Sequence, residues 1–328
     1  MNECVLITGA GGQDAYFLSK YLTRNTNYNI IGLTNDQDKK ILRNTSLAYF
    51  NSVKNISLDD FKNLETFIIS LKPRFIFNFG AVAGSLTQFD NPQSLVKINS
   101  LSILIMLETI RINNLDTKLI QASSSEIFAS NKQYKQSLEA IRRPRTIYGA
   151  SKIFSDSLIE VYRNQFNIDC FSVVLFSHES PLRKDVFFTK KIVNQIFDFV
   201  DNKIDKIKVY APSAKRDWGY AGDYCKYIAE KALSNNKDDL LIGSGEANTV
   251  KDFVKEALSF FNLDYNEVVE EVEMPSERAS ENEYVFLDPE KIDVCLKDSN
   301  KHDLKKLVHL LMRHKRFIEF KKRKENDN

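Results

Sequence analysis

The chain has 328 residues, with 46 lysines and arginines set against 44 aspartates and glutamates. That length is enough for one large domain or two, and the near-balance of charge argues against bulk attraction for nucleic acid. Apolar runs stop short of the roughly 18 residues a membrane-spanning helix needs, so no membrane partner is expected either.

Val5-Leu6-Ile7 enters an apolar strand at once, without a signal-peptide layout. Cys4–Thr8 reads as a buried strand, followed by a glycine turn and a helix over Asp14–Thr23. A second strand follows at Asn29–Thr34, then a helix at Leu64–Leu71. Pro73 punctuates before a strand at Phe75–Phe79. Leu95–Ile112 reads as one long apolar helix, Lys118–Ser123 as a strand, Ile147–Phe166 as a helix and Cys170–Phe176 as a strand. Alternating strands and helices predict an α/β fold, a doubly wound parallel sheet of Rossmann type with helices on both faces.

Beyond Phe176 the alternation breaks. Ser177–Asp185 reads as a polar loop, Phe187–Asn202 as a helix, Lys206–Tyr210 as a short strand and Val250–Phe261 as a helix. His302–Lys324 carries Leu304, Leu307, Leu310 and Leu311 at helical spacing on a basic background, which predicts an amphipathic terminal helix. The division expected is a dinucleotide-binding domain over 1–176, rejoined by 211–245, and a smaller C-terminal substrate-binding lobe over 177–210 and 246–328. Cys4, Cys170, Cys225 and Cys295 are scattered without metal spacing and read as reduced thiols of a cytoplasmic protein. Three of the four histidines (His302, His309, His314) lie in the basic C-terminal segment, so no metal centre is expected.

Gly9-Ala10-Gly11-Gly12-Gln13-Asp14 follows the first strand and opens a helix. Gly9 permits the tight turn, Gly12 lets backbone approach a phosphate, and the helix N-terminus offers N–H groups and a positive dipole end. Ala15, small enough for close helix packing, occupies the third glycine position. At the end of the second strand, Thr34 stands where an NAD enzyme carries an acid. Asp36 could reach the ribose from two residues on. Lys39, Lys40 and Arg43 could meet a 2′-phosphate instead, or form a solvated charge run.

Tyr148 and Lys152, four apart, share a helix face, where an ammonium beside a phenol favours the phenolate. About two dozen residues earlier, the strand end Gln121-Ala122-Ser123-Ser124-Ser125-Glu126 brings a hydroxyl and a carboxylate. This arrangement resembles the extended short-chain dehydrogenase/reductase superfamily. Leu175-Phe176-Ser177-His178-Glu179-Ser180-Pro181-Leu182-Arg183, followed by Phe188-Thr189-Lys190-Lys191-Ile192, is more specific. So is Arg216-Asp217-Trp218-Gly219-Tyr220-Ala221-Gly222-Asp223-Tyr224, together with Arg278, Glu281, Asp288, Pro289 and Lys291. From about residue 4 to residue 292 the chain resembles the GDP-mannose 4,6-dehydratases.

The resemblance implies a nucleotide-sugar 4,6-dehydratase that converts a GDP-linked hexose, GDP-mannose or a close relative such as a GDP-heptose. The product is the 4-keto-6-deoxy sugar, formed by internal hydride transfer through tightly bound NADP, with NAD possible. Tyr148 removes the 4-hydroxyl proton, Lys152 holds the nicotinamide ribose and lowers the tyrosine pKa, and Ser124 bonds the 4-oxygen. Glu126 takes the proton from carbon 5 and helps water leave from carbon 6, since one carboxylate can serve as base and then acid. Gly9, Gly11, Gly12, Gln13, Asp14 and His178 fall on the cofactor side; Ser177, Glu179, Lys191, Arg216 and Arg278 on the substrate side. His178 and Glu179 also read as residues that order their loop, Trp218 as core, and Asn99 as the superfamily's structural asparagine. A homodimer or homotetramer is implied.

The chain departs from the pattern in three places. Ser177 replaces an asparagine before His-Glu-Ser-Pro, Val82–Phe89 differs from the family's Gln-Ser-His-Val loop, and Asn35–Lys39 replaces an Arg-Arg-Ser-Ser-Ser segment. An epimerase or 4-reductase of the same superfamily would keep Tyr148 and Lys152. A non-catalytic nucleotide-sugar-binding homologue is the reading from another class.

Overall fold

The computed structural model describes residues 3–35, 47–82, 91–128, 135–273, 284–287 and 302–326. In chain order the elements begin β1 (Cys4–Thr8), α1 (Gln13–Asn25), β2 (Asn29–Thr34), β3 (Ser52–Asn55), α2 (Phe61–Leu71) and β4 (Phe75–Asn78). There follow α3 (Pro92–Val96), a π-helical turn at Lys97–Leu101, α4 (Ser102–Ile112), β5 (Lys118–Ala122), a 3₁₀ turn at Ser125–Phe128, β6 (Lys135–Gln136), α5 (Ile147–Phe166), β7 (Cys170–Leu175) and β8 (Ser177–Glu179). Next come α6 (Phe188–Val200), β9 (Ile207–Tyr210), β10 (Lys215–Tyr220), α7 (Ala221–Leu233), β11 (Leu240–Ile242) and β12 (Ala247–Thr249). The chain closes with α8 (Val250–Ser259), α9 (Tyr265–Val268), β13 (Val269–Val272), β14 (Tyr284–Leu287) and α10 (Leu304–Asn326).

Two compact units result. The first comprises residues 1–133, 137–175 and 224–242. Its seven-stranded sheet is parallel, in the order β11-β7-β5-β4-β1-β2-β3. The strands β1, β4, β5 and β7 are buried almost throughout, so they read as continuous apolar runs rather than alternating ones. The strand order reverses at β1, flanked by β2 and β4. In such sheets ligands bind beyond the carboxyl ends of the strands at this switch point.

The second unit comprises residues 134–136, 176–223 and 243–328. Its sheet runs β12-β10-β14-β6, with β8 paired to β10, and β9 pairs with β13. Trp218 lies in its core, stacked on Phe188 at 5.9 Å between ring centres and close to Phe253.

Two elements differ from the sequence reading. Leu95–Ile112 is not one α-helix but is broken by the π turn, which turns Asn99 onto the backbone of Val82. Within the segment read as polar loop, Ser177–Glu179 forms a strand. β10 offers a parallel edge with Trp218, Gly219 and Tyr220 facing Ser177, His178 and Glu179. Ladder bonds come from the backbone, so a polar stretch can join a sheet when an edge is available. Among the described residues no helix is long and apolar enough to cross a membrane, and no cluster of metal-binding side chains occurs.

Candidate active site

In the first unit the glycine turn leaves the end of β1 and leads into α1. Gly9 has φ +68°, and a β-carbon there would stand 2.8 Å from the Gly80 Cα. Only glycine therefore lets the turns after β1 and β4 pass this closely. Gly12 caps α1 through its backbone, and no side chain caps that N-terminus. Ala15, Leu18, Ser19 and Leu22 form the buried stripe of α1, which anchors the helix with its first turn at the sheet edge.

A row of buried polar side chains crosses the ends of three adjacent strands. Thr8, Asn78 and Gln121 occupy neighbouring register positions on β1, β4 and β5. The Gly80 N–H donates to Thr8 Oγ1 at 2.8 Å, and that hydroxyl donates to Asn78 Oδ1 at 2.7 Å. Asn78 Nδ2 donates to Gln121 Oε1 at 2.7 Å, and Gln121 Nε2 donates to the Ala122 carbonyl at 2.9 Å. The same carbonyl accepts from Lys152 Nζ at 2.7 Å. The chain of bonds thus begins beside the glycine turn and ends at the lysine.

Lys152 lies on α5, which starts at an N-cap where the Gly149 N–H donates to Thr146 Oγ1 at 2.9 Å. Its inward stripe is polar near the start (Ser151, Lys152, Ser155, Asp156) and apolar farther on (Ile159, Tyr162). Lys152 is only 3 % exposed. Burial pulls its amine down to about 8, opposed by the negative charge of Asp156. Its Nζ lies 5.7 Å from the centre of the Tyr148 ring, so a positive charge stands beside the phenol. Asn99 steadies this helix. Its Nδ2 donates to Ser151 Oγ at 3.3 Å, and the Ser155 hydroxyl donates to the Asn99 carbonyl at 2.8 Å.

Ser124 lies two residues beyond the end of β5, and Glu126 stands exposed on the 3₁₀ turn that follows. The Glu126 N–H donates to Ser124 Oγ at 3.3 Å. Gly149 sets how close this turn comes to α5: a β-carbon there would stand 2.8 Å from the Glu126 carbonyl oxygen and 3.1 Å from Pro144 Cβ. The backbone of Glu126 therefore packs directly on the residue after Tyr148.

In the second unit the His178 ring bonds the Phe176 carbonyl through Nδ1 at 2.7 Å, which requires the proton on that nitrogen. Glu179 is buried and accepts from Thr189 Oγ1 at 2.6 Å, with Arg183 Nε at 3.4 Å. Lys191 is exposed on the first turn of α6, while Lys190 turns inward to the Pro181 carbonyl. Arg216 is half-buried on β10 and donates to the Lys215 carbonyl. Its neighbour Asp217 accepts the N–H groups of Ser244 and Gly245, which ties down the turn before β12. Ser177 is half-buried. Arg278, Asp36, Lys39, Lys40 and Arg43 lie outside the described residues.

Sequence reasoning did not single out Asp156, Gln121, Asn78 or Thr8. The available signals were the spacing of Tyr148, Lys152 and Asp156 at successive helix turns, and polar residues closing otherwise apolar strands.

The family described as GDP-mannose 4,6 dehydratase matches residues 6–311. Human GDP-mannose 4,6 dehydratase is 27 % identical over 263 residues, covering 77 % of this chain and 70 % of the human protein. Arabidopsis thaliana GDP-mannose 4,6 dehydratase 1 is 28 % identical, covering 82 % of this chain and 77 % of its own. Among solved structures, the UDP-glucose 4-epimerase of Thermotoga maritima with UDP-glucose superposes with a TM-score of 0.80 at 18 % identity, over 97 % of this chain and 99 % of the other. The dTDP-glucose 4,6-dehydratase of Bacillus anthracis in complex with NAD reaches 0.77 at 17 % identity, over 95 % and 96 %. At these identities the structural likeness speaks for the fold alone.

Proposed function

The chain belongs to the GDP-mannose 4,6 dehydratase family, and from that premise we propose that it is a hydro-lyase converting a GDP-linked hexose to its 4-keto-6-deoxy form. GDP-mannose is the first candidate substrate, and a close relative such as a GDP-linked heptose is the second. The observation that carries this reading is the packing of the Glu126 turn against Gly149, next to Tyr148. It supports a carboxylate working beside the Tyr–Lys pair, which an alcohol dehydrogenase does not need.

The residues present fit a nicotinamide dinucleotide. The Gly9–Gly12 turn offers bare backbone, and the N-terminus of α1 has no side-chain cap to compete with a phosphate. Bound there, NADP (or NAD as the alternative) would supply a temporary store for the hydride that leaves carbon 4 and returns to carbon 6 after water has left, with a proton added back at carbon 5. Tyr148 takes the proton of the sugar 4-hydroxyl, and the charge on Lys152 favours the phenolate that does so. The Ser124 hydroxyl bonds the 4-oxygen. A ketone at carbon 4 acidifies carbon 5, whose proton Glu126 accepts and then delivers to the departing 6-hydroxyl. Gln13 and Asp14 on α1, and His178, belong to the cofactor side of this proposal. Arg216, Lys191 and Arg278 supply cations suited to a diphosphate, and Ser177 and Glu179 belong to the same substrate side.

Self-association through α5 belongs to the same proposal. Phe154 and Val161, 45 % and 39 % exposed, stand seven apart on one face of that helix. Light scattering of Val161→Glu should give a smaller particle than the unaltered protein; equal mass for both would remove this face from the account.

The test of function is incubation with GDP-mannose and other nucleotide sugars, with products weighed by mass spectrometry. Loss of one water without net consumption of cofactor is the expected result. An isomer of unchanged mass would replace the proposal with an epimerase. Stoichiometric oxidation of reduced cofactor would replace it with a reductase. Binding without conversion across the panel would leave a nucleotide-sugar-binding homologue.

A further inference from the structure

One buried carboxylate has no part in the chemistry above. Asp156 is 1 % exposed and lies one turn beyond Lys152 and two beyond Tyr148, on the same face of α5. Its Oδ2 accepts the Ser123 hydroxyl at 2.6 Å, and its Oδ1 accepts the Ser172 hydroxyl at 2.8 Å. Ser123 follows the last residue of β5 and precedes Ser124; Ser172 lies on β7. Arg142 Nη1, on the segment before α5, lies 3.8 Å from Oδ2. A bridge from a helix to two strands needs only neutral hydrogen-bonding groups, and a buried charge in that role is a cost unless it serves something else.

We propose that Asp156 is a positioning residue. As the carboxylate it keeps Lys152 in its ammonium form inside the protein and holds the Ser123–Ser124 strand end against the Tyr148 face of α5. This rests on the roles given to Tyr148, Lys152 and Ser124 above. The charged groups facing Asp156 are Arg142 from the preceding segment and Lys152 from its own helix; the groups from β5 and β7 are the neutral hydroxyls. Burial raises Asp156 to about 6, opposed by Ser123, Ser172, Arg142 and Lys152 in that order. Burial lowers Lys152 to about 8, opposed by Asp156. Both partners are therefore charged between about 6 and about 8.

The test is Asp156→Asn, which keeps the shape and removes the charge. NMR titration of lysine labelled at the ε-carbon, with the Lys152 signal assigned by its absence in Lys152→Met, reads the amine directly and needs no sugar. The Lys152 midpoint should fall by about one pH unit, which at pH 8 cuts the protonated fraction about five-fold. The alkaline limb of kcat should move to lower pH by the same amount while KM stays within two-fold. A folded Asp156→Asn with an unmoved Lys152 midpoint overturns the proposal. Should that variant fail to fold, Lys152→Met reads the same pair from the other side: loss of the ammonium should raise the Asp156 midpoint, read by carboxyl-carbon NMR, and an unmoved midpoint there overturns the pairing. If no sugar is turned over but the Lys152 midpoint falls, the dehydratase reading fails and the charge pairing stands.

Discussion

Replacing Lys152 with methionine should abolish turnover and make the protein more stable. The amine is buried and reduced from its ordinary 10.5 to about 8, chiefly by burial. Holding its proton inside the fold at neutral pH therefore costs about 3 kcal/mol. Methionine fills a similar volume without that cost. The lost bond from Nζ to the Ala122 carbonyl gives back some of the gain, but that oxygen keeps Gln121 Nε2 at 2.9 Å and is not orphaned. Asp156 loses a favourable neighbour yet retains two serine hydroxyls and Arg142. The net expectation is a stabilisation of about 1 kcal/mol at pH 7, or roughly 1–2 °C in Tm. The pH dependence follows from linkage. Below about 8 the lysine is protonated in both folded and unfolded chains, and the full penalty applies. Between about 8 and 10.5 the unfolded chain binds more protons, so the unaltered protein gains stability as pH rises and the advantage of methionine fades. Thermal denaturation of both proteins from pH 7 to pH 10, beside a dehydration assay, checks this. A methionine variant that is less stable at pH 7, by an amount that stays constant up to pH 10, would refute the reasoning.

Glu126→Gln should lower dehydration by about 10²–10⁴-fold while cofactor binding, read by fluorescence titration, stays unchanged; turnover near the unaltered rate would remove the carboxylate from the mechanism. Gly149→Ala places a methyl 2.8 Å from the Glu126 carbonyl oxygen, a contact with backbone that cannot swing away. It should cost about 1–3 kcal/mol in urea unfolding and reduce kcat more than it raises KM, whereas an unaltered kcat would show that the turn need not touch α5. Gln121→Leu removes the middle of the polar row and leaves Asn78 Nδ2 without its acceptor. A loss of about 1–3 kcal/mol is expected, and a variant as stable as the parent would mean that the row adds nothing to the fold.

The first half of the chain was largely readable because its strands are buried on both faces and its helices carry one apolar stripe each. Ile147–Phe166 matched as read, with Thr146 as its cap. The π turn at Lys97–Leu101 was not readable, since a single widened turn leaves the apolar spacing of Leu95–Ile112 almost intact. Short strands such as Ser177–Glu179 and Lys215–Tyr220 escaped for a different reason: they exist because each offers the other an edge, and that depends on residues far apart in the chain. At the candidate site, spacing pointed to Tyr148 and Lys152, while Ser124 and Glu126 took their expected roles from the family resemblance. Asp156 did not, because a lone aspartate inside a helix looks like a solvated residue until its burial is known.

The polar row explains why the lysine and the glycine turn sit on one rigid edge. Thr8 is the last residue of β1, Asn78 the last of β4, and Gln121 the last but one of β5. Opposed in register on neighbouring strands, their side chains project from the same face, where they bond one another and the backbone at Gly80 and Ala122. A one-residue slip of β4 against either neighbour would turn these groups into apolar core and bury their donors unsatisfied. The row therefore rejects wrong registers at the edge where register matters most. Because it terminates on the carbonyl that also holds Lys152, the position of that amine is tied to the strand β1 that launches the glycine turn. The placement of Lys152 and the register of the strands are thus set by the same four hydrogen bonds from the Gly80 N–H to the Ala122 carbonyl.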